Sequence, residues 1–177
     1  MKIVLDTTIL VRANERSHGL ARELLTNIVK GEHSLLLSNE MLHELARVLR
    51  YPRLREFYSL TEEMVFEYVK FLRRSSEIVT LDPLVIAPIR DVNDIIVMQT
   101  AIIGEADVLC TKDEDFFENP ASEYLRKMDI AVLDDIALID RLRSRCWSVH
   151  ACQGGLRPTL EGGQSCPQPA FSRLRAA

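Results

Sequence analysis

The chain of 177 residues has no long apolar run, no excess of basic residues and no evenly spread set of cysteines. No stretch approaches the roughly 18 consecutive apolar residues that a membrane-spanning helix needs. The N-terminal segment MKIVLDTTIL is not typical of a secretory signal, because Asp6 interrupts its apolar run almost at once. We therefore expect a cytoplasmic protein that does not associate with a membrane.

The charge balance argues against a broad nucleic-acid-binding surface. Acidic side chains outnumber basic ones by 26 to 22, which gives a formal net charge of −4. The excess lies in residues 1–143, which contain 25 acidic and 18 basic side chains. Proteins that bind nucleic acid over a wide face are usually strongly basic. Any contact of this chain with nucleic acid therefore has to depend on local groups.

The composition changes abruptly near residue 144. Residues 144–177 contain the only Trp, three of the four Cys and four of the seven Gly, and they show neither helical nor strand periodicity. Such a segment buries too little apolar surface to offset the entropy lost on ordering it. We predict one domain over residues 1–143, followed by a disordered extension, 144–177, that is foreign to the domain.

The cysteines do not indicate a zinc site. The extension contains Cys146, His150, Cys152 and Cys166, whose spacing matches no common zinc-ligand pattern. Disulfides among them are not expected in a reducing compartment. Cys110 lies within a short apolar segment and is predicted to be a small core residue.

Residues 1–143 alternate between short apolar segments and segments with helical periodicity. Short apolar strands without alternation, separated by helices, predict an α/β fold with a parallel sheet covered on both faces. The predicted strands are residues 2–5, 34–38, 77–81, 107–110 and 130–133. The predicted helices are residues 17–30, 39–50, 61–75 and 92–103, with a short turn or helix after Pro52 and a last helix from about Asp134.

Two acidic side chains follow strands that are expected to be central. Asp6 comes directly after the first strand, and Asp113 comes shortly after the fourth. Ligands of such sheets bind beyond the carboxyl ends of the strands. Carboxylates held together there are costly without a cation, and Mg²⁺ and Mn²⁺ prefer oxygen ligands. Glu114 and Asp115 also fit a solvated helix start before two phenylalanines.

Two further acids lie on predicted helices, and each acid also has a simpler explanation. Glu44 borders the apolar face of its helix, where it fits an ordinary pair with Arg47. Asp94 opens a helix that is apolar nearly all round, and it fits a partner for the helix dipole. Asp6 fits a cap of a helix that begins near residue 7 or 8, and Asp91 fits an N-cap better than a metal ligand.

The order of these acids resembles that of the PIN-domain nucleases, and most closely the VapC-like toxins of type II toxin–antitoxin systems. The matching segments are IVLDTTILVRA, SNEMLHELARVL, DVNDIIVMQTAIIGEADVLCTKDEDF and IAVLDDIALID, which together cover residues 1 to about 140. The resemblance implies a three-layer α/β/α sandwich with a central parallel sheet. It also implies a metal-dependent ribonuclease that holds one or two Mg²⁺ or Mn²⁺ ions.

The resemblance also implies the roles of individual residues. It assigns Asp6, Glu44, Asp94 and Asp113 as the catalytic acids, with Asp6, Asp94, Asp113 and Asp115 as metal ligands. Asp113 and Asp115 remain alternatives for the fourth ligand. Thr8 and Thr111 match hydroxyl positions that orient the site. The implied partners are an RNA substrate, a cognate antitoxin protein and a second copy of the chain in a homodimer.

The chemistry of phosphodiester hydrolysis is consistent with these residue types. Bound metal ions activate water and stabilise the charge of the transition state, so no histidine nucleophile is needed. Arg47, Arg50, Arg53 and Arg55 follow the Glu44 helix and form a candidate rim for RNA phosphates. A solvated helix end rich in cations explains these arginines equally well.

Two other functions compete with a ribonuclease. A haloacid-dehalogenase-like phosphatase also uses an Asp after its first strand, but LDTTIL has no second Asp two residues after Asp6. A non-catalytic PIN-like binding module would act through partners alone. The complete set of acids argues against such a module.

Overall fold

The structure is a computed structural model that describes residues 1–89 and 91–151, with side chains described as far as Arg143. Within this part, five strands form one sheet. The strands are β1 (Lys2–Leu5), β2 (Ser34–Ser38), β3 (Ser76–Val79), β4 (Val108–Cys110) and β5 (Ala131–Leu133). The helices are α1 (Thr7–Arg12), α2 (Leu20–Lys30), α3 (Asn39–Leu49), α4 (Pro52–Tyr58), α5 (Glu62–Ser75), α6 (Val92–Ile103), α7 (Ala121–Lys127) and α8 (Asp135–Ala151), with a 3-10 turn at Glu114–Phe116.

The sheet is parallel throughout, in the order β3-β2-β1-β4-β5. Val4 of β1 lies opposite Leu36 of β2 on one side and opposite Leu109 of β4 on the other. Parallel strands that are buried on both faces need continuous apolar sequences, which KIVL, SLLLS and VLC supply. The expectation of a helix-covered parallel sheet is confirmed, with β1 and β4 as central neighbours.

The direction of strand addition reverses at β1. The chain adds β2 and β3 on one side of β1, and then returns to add β4 and β5 on the other. The backbone N–H of Asp6 donates to the carbonyl oxygen of Cys110 at 2.9 Å, so the pairing of β1 with β4 continues to the first acid. Ligand sites of open parallel sheets lie at such a switch point. The fold therefore brings the segments after β1 and β4 to one edge.

Helices α3 and α6 cover the sheet and supply much of the core. Met41, Leu45 and Leu49 of α3 are buried, as predicted for its apolar face. In α6, residues Val97–Ala101 are buried in a continuous run, which explains why its sequence is apolar nearly all round. Cys110 is fully buried and carries a free thiol, so its predicted role as a core residue is confirmed.

Two parts of the chain differ from the sequence-based expectation. Helix α7 was not predicted, because its seven residues bury only Ala121 and Leu125 and give too short a pattern for helical periodicity. The backbone of α8 continues to Ala151, so the predicted boundary at residue 144 falls inside a helix. Residues 152–177, and the side chains of 144–151, lie outside the described part of the chain, as do the side chains considered for zinc. The proposed extension therefore stays a prediction.

None of the helices in the described part of the chain combines the length and the apolar character that crossing a bilayer requires.

Candidate metal centre

A cleft of about 590 Å³ opens at the carboxyl edge of β1 and β4. All five predicted acids line it: Asp6, Glu44, Asp94, Asp113 and Asp115. They come from four separate places, namely the end of β1, the middle of α3, the first turn of α6 and the segment after β4. Thr8 and Arg12 of α1 complete one wall. The fold thus gathers residues that lie more than a hundred positions apart in the sequence.

Asp6 is held by two hydroxyl groups. The hydroxyls of Thr8 and Thr111 both donate to its Oδ2, at 2.7 and 2.9 Å. Asp6 is only 4% exposed, so these bonds replace water that the carboxylate lost on burial. Asp6 stands at the N-cap position of α1, but its side chain makes no capping hydrogen bond. The capping interpretation of Asp6 is therefore wrong, and the orienting role of the two threonines stays a prediction that this geometry favours.

Thr111 also orders the segment that carries the late acids. Its buried hydroxyl accepts a hydrogen bond from the backbone N–H of Asp113 at 3.0 Å. The carboxylate of Asp113 in turn accepts from the N–H of Asp115 at 3.0 Å and caps the 3-10 turn. Phe116, at the end of this turn, is fully buried and anchors it to the core. The acids after β4 are therefore held by a chain of short contacts.

Asp94 is the acid with the most perturbed ionisation. Its pKa rises from 3.8 to about 7, first because burial disfavours the charged carboxylate and then because Asp113 and Asp6 repel it. One carboxylate oxygen each from Asp94, Asp113 and Asp115 lies within 4.8 Å of the others. Asp91 accepts from the N–H of Asn93 at 2.7 Å, so the N-cap prediction for Asp91 is confirmed.

The donor set of this cleft fits a hard divalent cation. All the converging groups are carboxylates, which Mg²⁺ and Mn²⁺ prefer over nitrogen or sulfur ligands. Burial is the main cause of the raised pKa of Asp94, and a cation would remove the repulsion from Asp113 and Asp6 that adds to it. Asp94, Asp113 and Asp115 form the tightest group, so both alternatives for the fourth ligand belong to it.

Glu44 lines the cleft but lies outside this tight group. Both of its carboxylate oxygens accept from the guanidinium of Arg47, at 2.7 and 2.8 Å. The ordinary ion pair of Glu44 with Arg47, which was the simpler explanation of Glu44, is therefore present. Ser38 caps α3 by accepting from the N–H of Met41 at 3.2 Å, which fixes the start of the helix that carries Glu44.

An ion-paired group beside the cleft was not predicted from the sequence. The carboxylate of Asp135, which is fully buried, contacts Arg12 Nη2 at 3.1 Å and Lys112 Nζ at 3.0 Å. Arg12 also lines the cleft. Asp135 lies 123 positions from Arg12, so no local pattern connects them. Asp135 comes shortly after β5, just as acids of the cleft follow β1 and β4. This pattern could have indicated Asp135 from the sequence.

The predicted phosphate rim is mostly occupied by internal ion pairs. Arg47 binds Glu44, while Arg50 and Arg55 both contact Glu62, at 2.9 and 3.3 Å. Arg53 is exposed, and no carboxylate of the described residues is in ion-pair contact with it. The rim stays a prediction, with Arg53 as its most available cation.

Comparison with known proteins identifies the family. The family model of the PIN domain matches residues 2–115, which hold all five acids of the cleft. The solved structure of VapBC2 from Rickettsia felis, bound to a DNA fragment from its promoter, contains a chain with a similar fold. That chain is 18% identical, with a TM-score of 0.50, and the match covers 76% of this chain and 98% of the other. No curated protein matches the sequence. The chain belongs to the PIN-domain family.

Proposed function

We propose that this protein is a metal-dependent endoribonuclease that hydrolyses RNA phosphodiesters, and that it is the toxin of a toxin–antitoxin pair. One observation carries the proposal: acids from four elements line a single cleft at the switch point of the sheet. Membership of the PIN-domain family, whose members are generally nucleases, supports a hydrolase that acts on nucleic acid. The choice of RNA and the toxin role come from the resemblance to VapC-like toxins, and the proposed cytoplasmic location comes from the sequence of the N-terminal segment.

The cleft suits one or two Mg²⁺ or Mn²⁺ ions. Asp94, Asp113 and Asp115 would hold the cation, together with Asp6, whose Oδ2 is fixed by two hydroxyls. When bound, such an ion lowers the pKa of a coordinated water and offsets charge on the phosphoryl oxygens. Glu44 borders the same space, where its bond to Arg47 fixes the position of its carboxylate.

Two basic side chains lie beside the proposed metal ligands. Asp135 holds Arg12 and Lys112 by ion pairs, so neither cation is free to move onto the acidic group. Arg12 lines the cleft and keeps about two-fifths of its side-chain surface exposed, which leaves it able to meet a phosphate. No histidine is among the lining residues, so proton transfer would use water and carboxylates.

Cleavage of labelled RNA by the purified protein tests the proposal. The reaction would be run with Mn²⁺, with Mg²⁺ and with EDTA, beside the Asp6→Asn variant. We expect cleavage that needs metal and that falls by at least about 100-fold in the variant. Equal cleavage by the variant would reveal a contaminant or a different site. Hydrolysis of para-nitrophenyl phosphate without RNA cleavage would instead support a phosphatase.

The proposed partners need a separate test. We propose a homodimer and a small antitoxin whose segment covers the cleft, as the resemblance to VapC-like toxins implies. Expression of the chain alone should arrest growth, and co-expression with the antitoxin should relieve the arrest. Absence of toxicity from a protein that cleaves RNA in vitro would contradict the toxin role and leave the nuclease intact.

A further inference from the structure

Helix α4 exposes aromatic side chains that are not buried in the core. None of its seven residues is buried. Phe57 is 76% exposed, and Tyr51, which precedes the helix, is 43% exposed. Together with Arg53, Leu54, Glu56 and Tyr58, these residues line an open groove of about 670 Å³. Exposing large rings is unfavourable in water, so a grouped set of them on one short helix indicates a binding surface.

The α4 groove is continuous with the acidic cleft. Leu54 and Tyr58 line both, so the two spaces adjoin and a long molecule lying in one can extend towards the other. Arg53 lines the groove and lacks an ion-pair partner among the described residues. The occupant of the groove therefore has to suit aromatic faces and a cation, and it has to extend into the site where a phosphodiester is proposed to be cut.

The rings are held in place by their neighbours. Phe57 and Tyr58 pack edge to face, with centroids 4.8 Å apart and an interplanar angle of 87°. The guanidinium of Arg47 lies 5.5 Å from the centroid of the Tyr51 ring and also donates to the Tyr51 hydroxyl. Arg47 is itself bound to Glu44 of the cleft. A chain of contacts thus links the aromatic surface to an acid of the proposed catalytic site.

These features match the way proteins bind an unpaired base. Aromatic side chains stack on bases in single-stranded nucleic acid, while neighbouring cations follow the phosphates. We propose that the α4 groove is a nucleobase subsite, in which Phe57 and Tyr51 stack an unpaired base next to the scissile phosphate while Arg53 meets the adjoining phosphate. The inference rests on the proposed nuclease function and adds to it a means of selecting where the strand is cut.

Binding of a fluorescently labelled oligoadenylate tests the subsite without requiring cleavage. Anisotropy would be measured in EDTA for the wild type, Phe57→Ala, Phe57→Tyr and Phe66→Ala. Phe66, on α5, is a matched control because it is 60% exposed, carries a nearby Lys70 and lines neither the groove nor the cleft. We expect Phe57→Ala to weaken binding by about 5- to 100-fold, and Phe57→Tyr and Phe66→Ala to leave it within about twofold.

A second oligonucleotide tests whether Phe57 acts by stacking on a base or only by maintaining the shape of the groove. An oligoadenylate with one abasic position, moved along the strand, should lose affinity at one register in the wild type. The same abasic change should have a smaller effect in Phe57→Ala, since only Tyr51 is then left to stack on the base. Equal binding of the intact and abasic strands at every register would overturn the subsite.

The remaining outcomes distinguish this inference from the proposed function. A wild type that cleaves RNA, with Phe57→Ala binding and cleaving equally well, would overturn the subsite alone. A wild type that neither binds nor cleaves RNA would overturn the nuclease function and the subsite with it. Unchanged RNA binding by Phe57→Ala combined with lost self-association in sedimentation would assign the groove to a second copy of the chain.

Discussion

At the scale of single residues, the cleft combines repulsion between acids with contacts that hold them in place. Asp94 is opposed by its neighbours, while Asp6 is held by the hydroxyls of Thr8 and Thr111. The two effects have opposite consequences for the stability of the metal-free protein. Removing a repelled charge should stabilise it, and removing a hydroxyl that supports a buried carboxylate should destabilise it.

Replacement of Asp94 by Asn should raise the melting temperature of the metal-free protein, and the gain should grow with pH. The folded state raises the pKa of Asp94 from 3.8 to about 7. The native chain therefore retains a proton between these values that the unfolded chain has lost, and stability falls as the pH rises through that window. Asn does not titrate, so the variant escapes this loss.

Melting curves in EDTA at about pH 5 and about pH 8 test the Asp94 prediction. The advantage of Asp94→Asn over the wild type should be larger at the higher pH. Asp91→Asn is the matched control, because it lies at the same helix start and Asn also caps well. If Asp94→Asn were less stable than the wild type at the higher pH, the charge of Asp94 would mainly stabilise α6 through the helix dipole.

Replacement of Thr111 by Val should cost stability and weaken metal binding. The change keeps the shape but leaves the buried carboxylate of Asp6 without one donor and the N–H of Asp113 without its acceptor. We expect a loss of about 1–3 kcal/mol in the free energy of unfolding, measured by urea denaturation. Affinity for Mn²⁺, followed by titration calorimetry, should fall by about 10-fold. Thr111→Ser keeps the hydroxyl and should recover most of the affinity; if it behaves like Val, packing of the methyl group is responsible.

At the scale of the elements, the sequence predicted helices whose apolar patterns are long. It did not predict contacts between side chains that are far apart in the chain. Helices α3, α5 and α6 were predicted within one residue of their ends, because their apolar faces repeat over three turns or more. The acids of the cleft were also predicted, because each follows a strand, borders a helix face or opens a helix, and because their order resembles that of the PIN-domain nucleases. The ion pairs of Asp135 with Arg12 and Lys112 were missed, because pairing between α8, α1 and the segment after β4 depends on the assembled sheet.

The end of α6 approaches the sheet so closely that only glycine fits there. A Cβ at Gly104 would lie 2.7 Å from Leu36 Cδ1, 2.8 Å from the carbonyl oxygen of Thr100 and 3.0 Å from Val79 Cγ2. Gly104→Ala should therefore force α6 away from β2 and β3, at a cost of about 1–3 kcal/mol in urea denaturation. Gly19→Ala is the control, since its nearest atom would be 3.8 Å away. Equal stability of the two variants would contradict the close approach.

At the scale of the whole molecule, the described part of α8 packs its apolar side chains into the core. Leu138, Ile139 and Leu142 of α8 are buried, and α8 packs against α2. Arg143 also forms an ion pair with Glu23 of α2 at 2.7 Å. The PIN-domain match ends at residue 115, well before the proposed extension. We therefore still predict that residues 1–143 fold without residues 144–177.

A chain that ends after Arg143 should melt within about 2 °C of the full chain, because it keeps every described buried side chain. Differential scanning calorimetry would measure the two chains side by side. A chain that ends before Leu138 is the control and should melt far lower, since it loses three buried side chains. A large drop on ending after Arg143 would show that residues 144–177 belong to the domain.

The central position of β1 determines how late in synthesis the acidic cleft can form. The first strand to leave the ribosome receives its second neighbour, β4, only after residue 108 has been made. Thr111 and Asp113 arrive with that neighbour, so a nascent chain has no complete acidic cleft for more than half of its synthesis. Strand pairs between distant segments also form slowly. The proposed ribonuclease would therefore stay inactive during the first half of its synthesis, while its own message and ribosome are within reach.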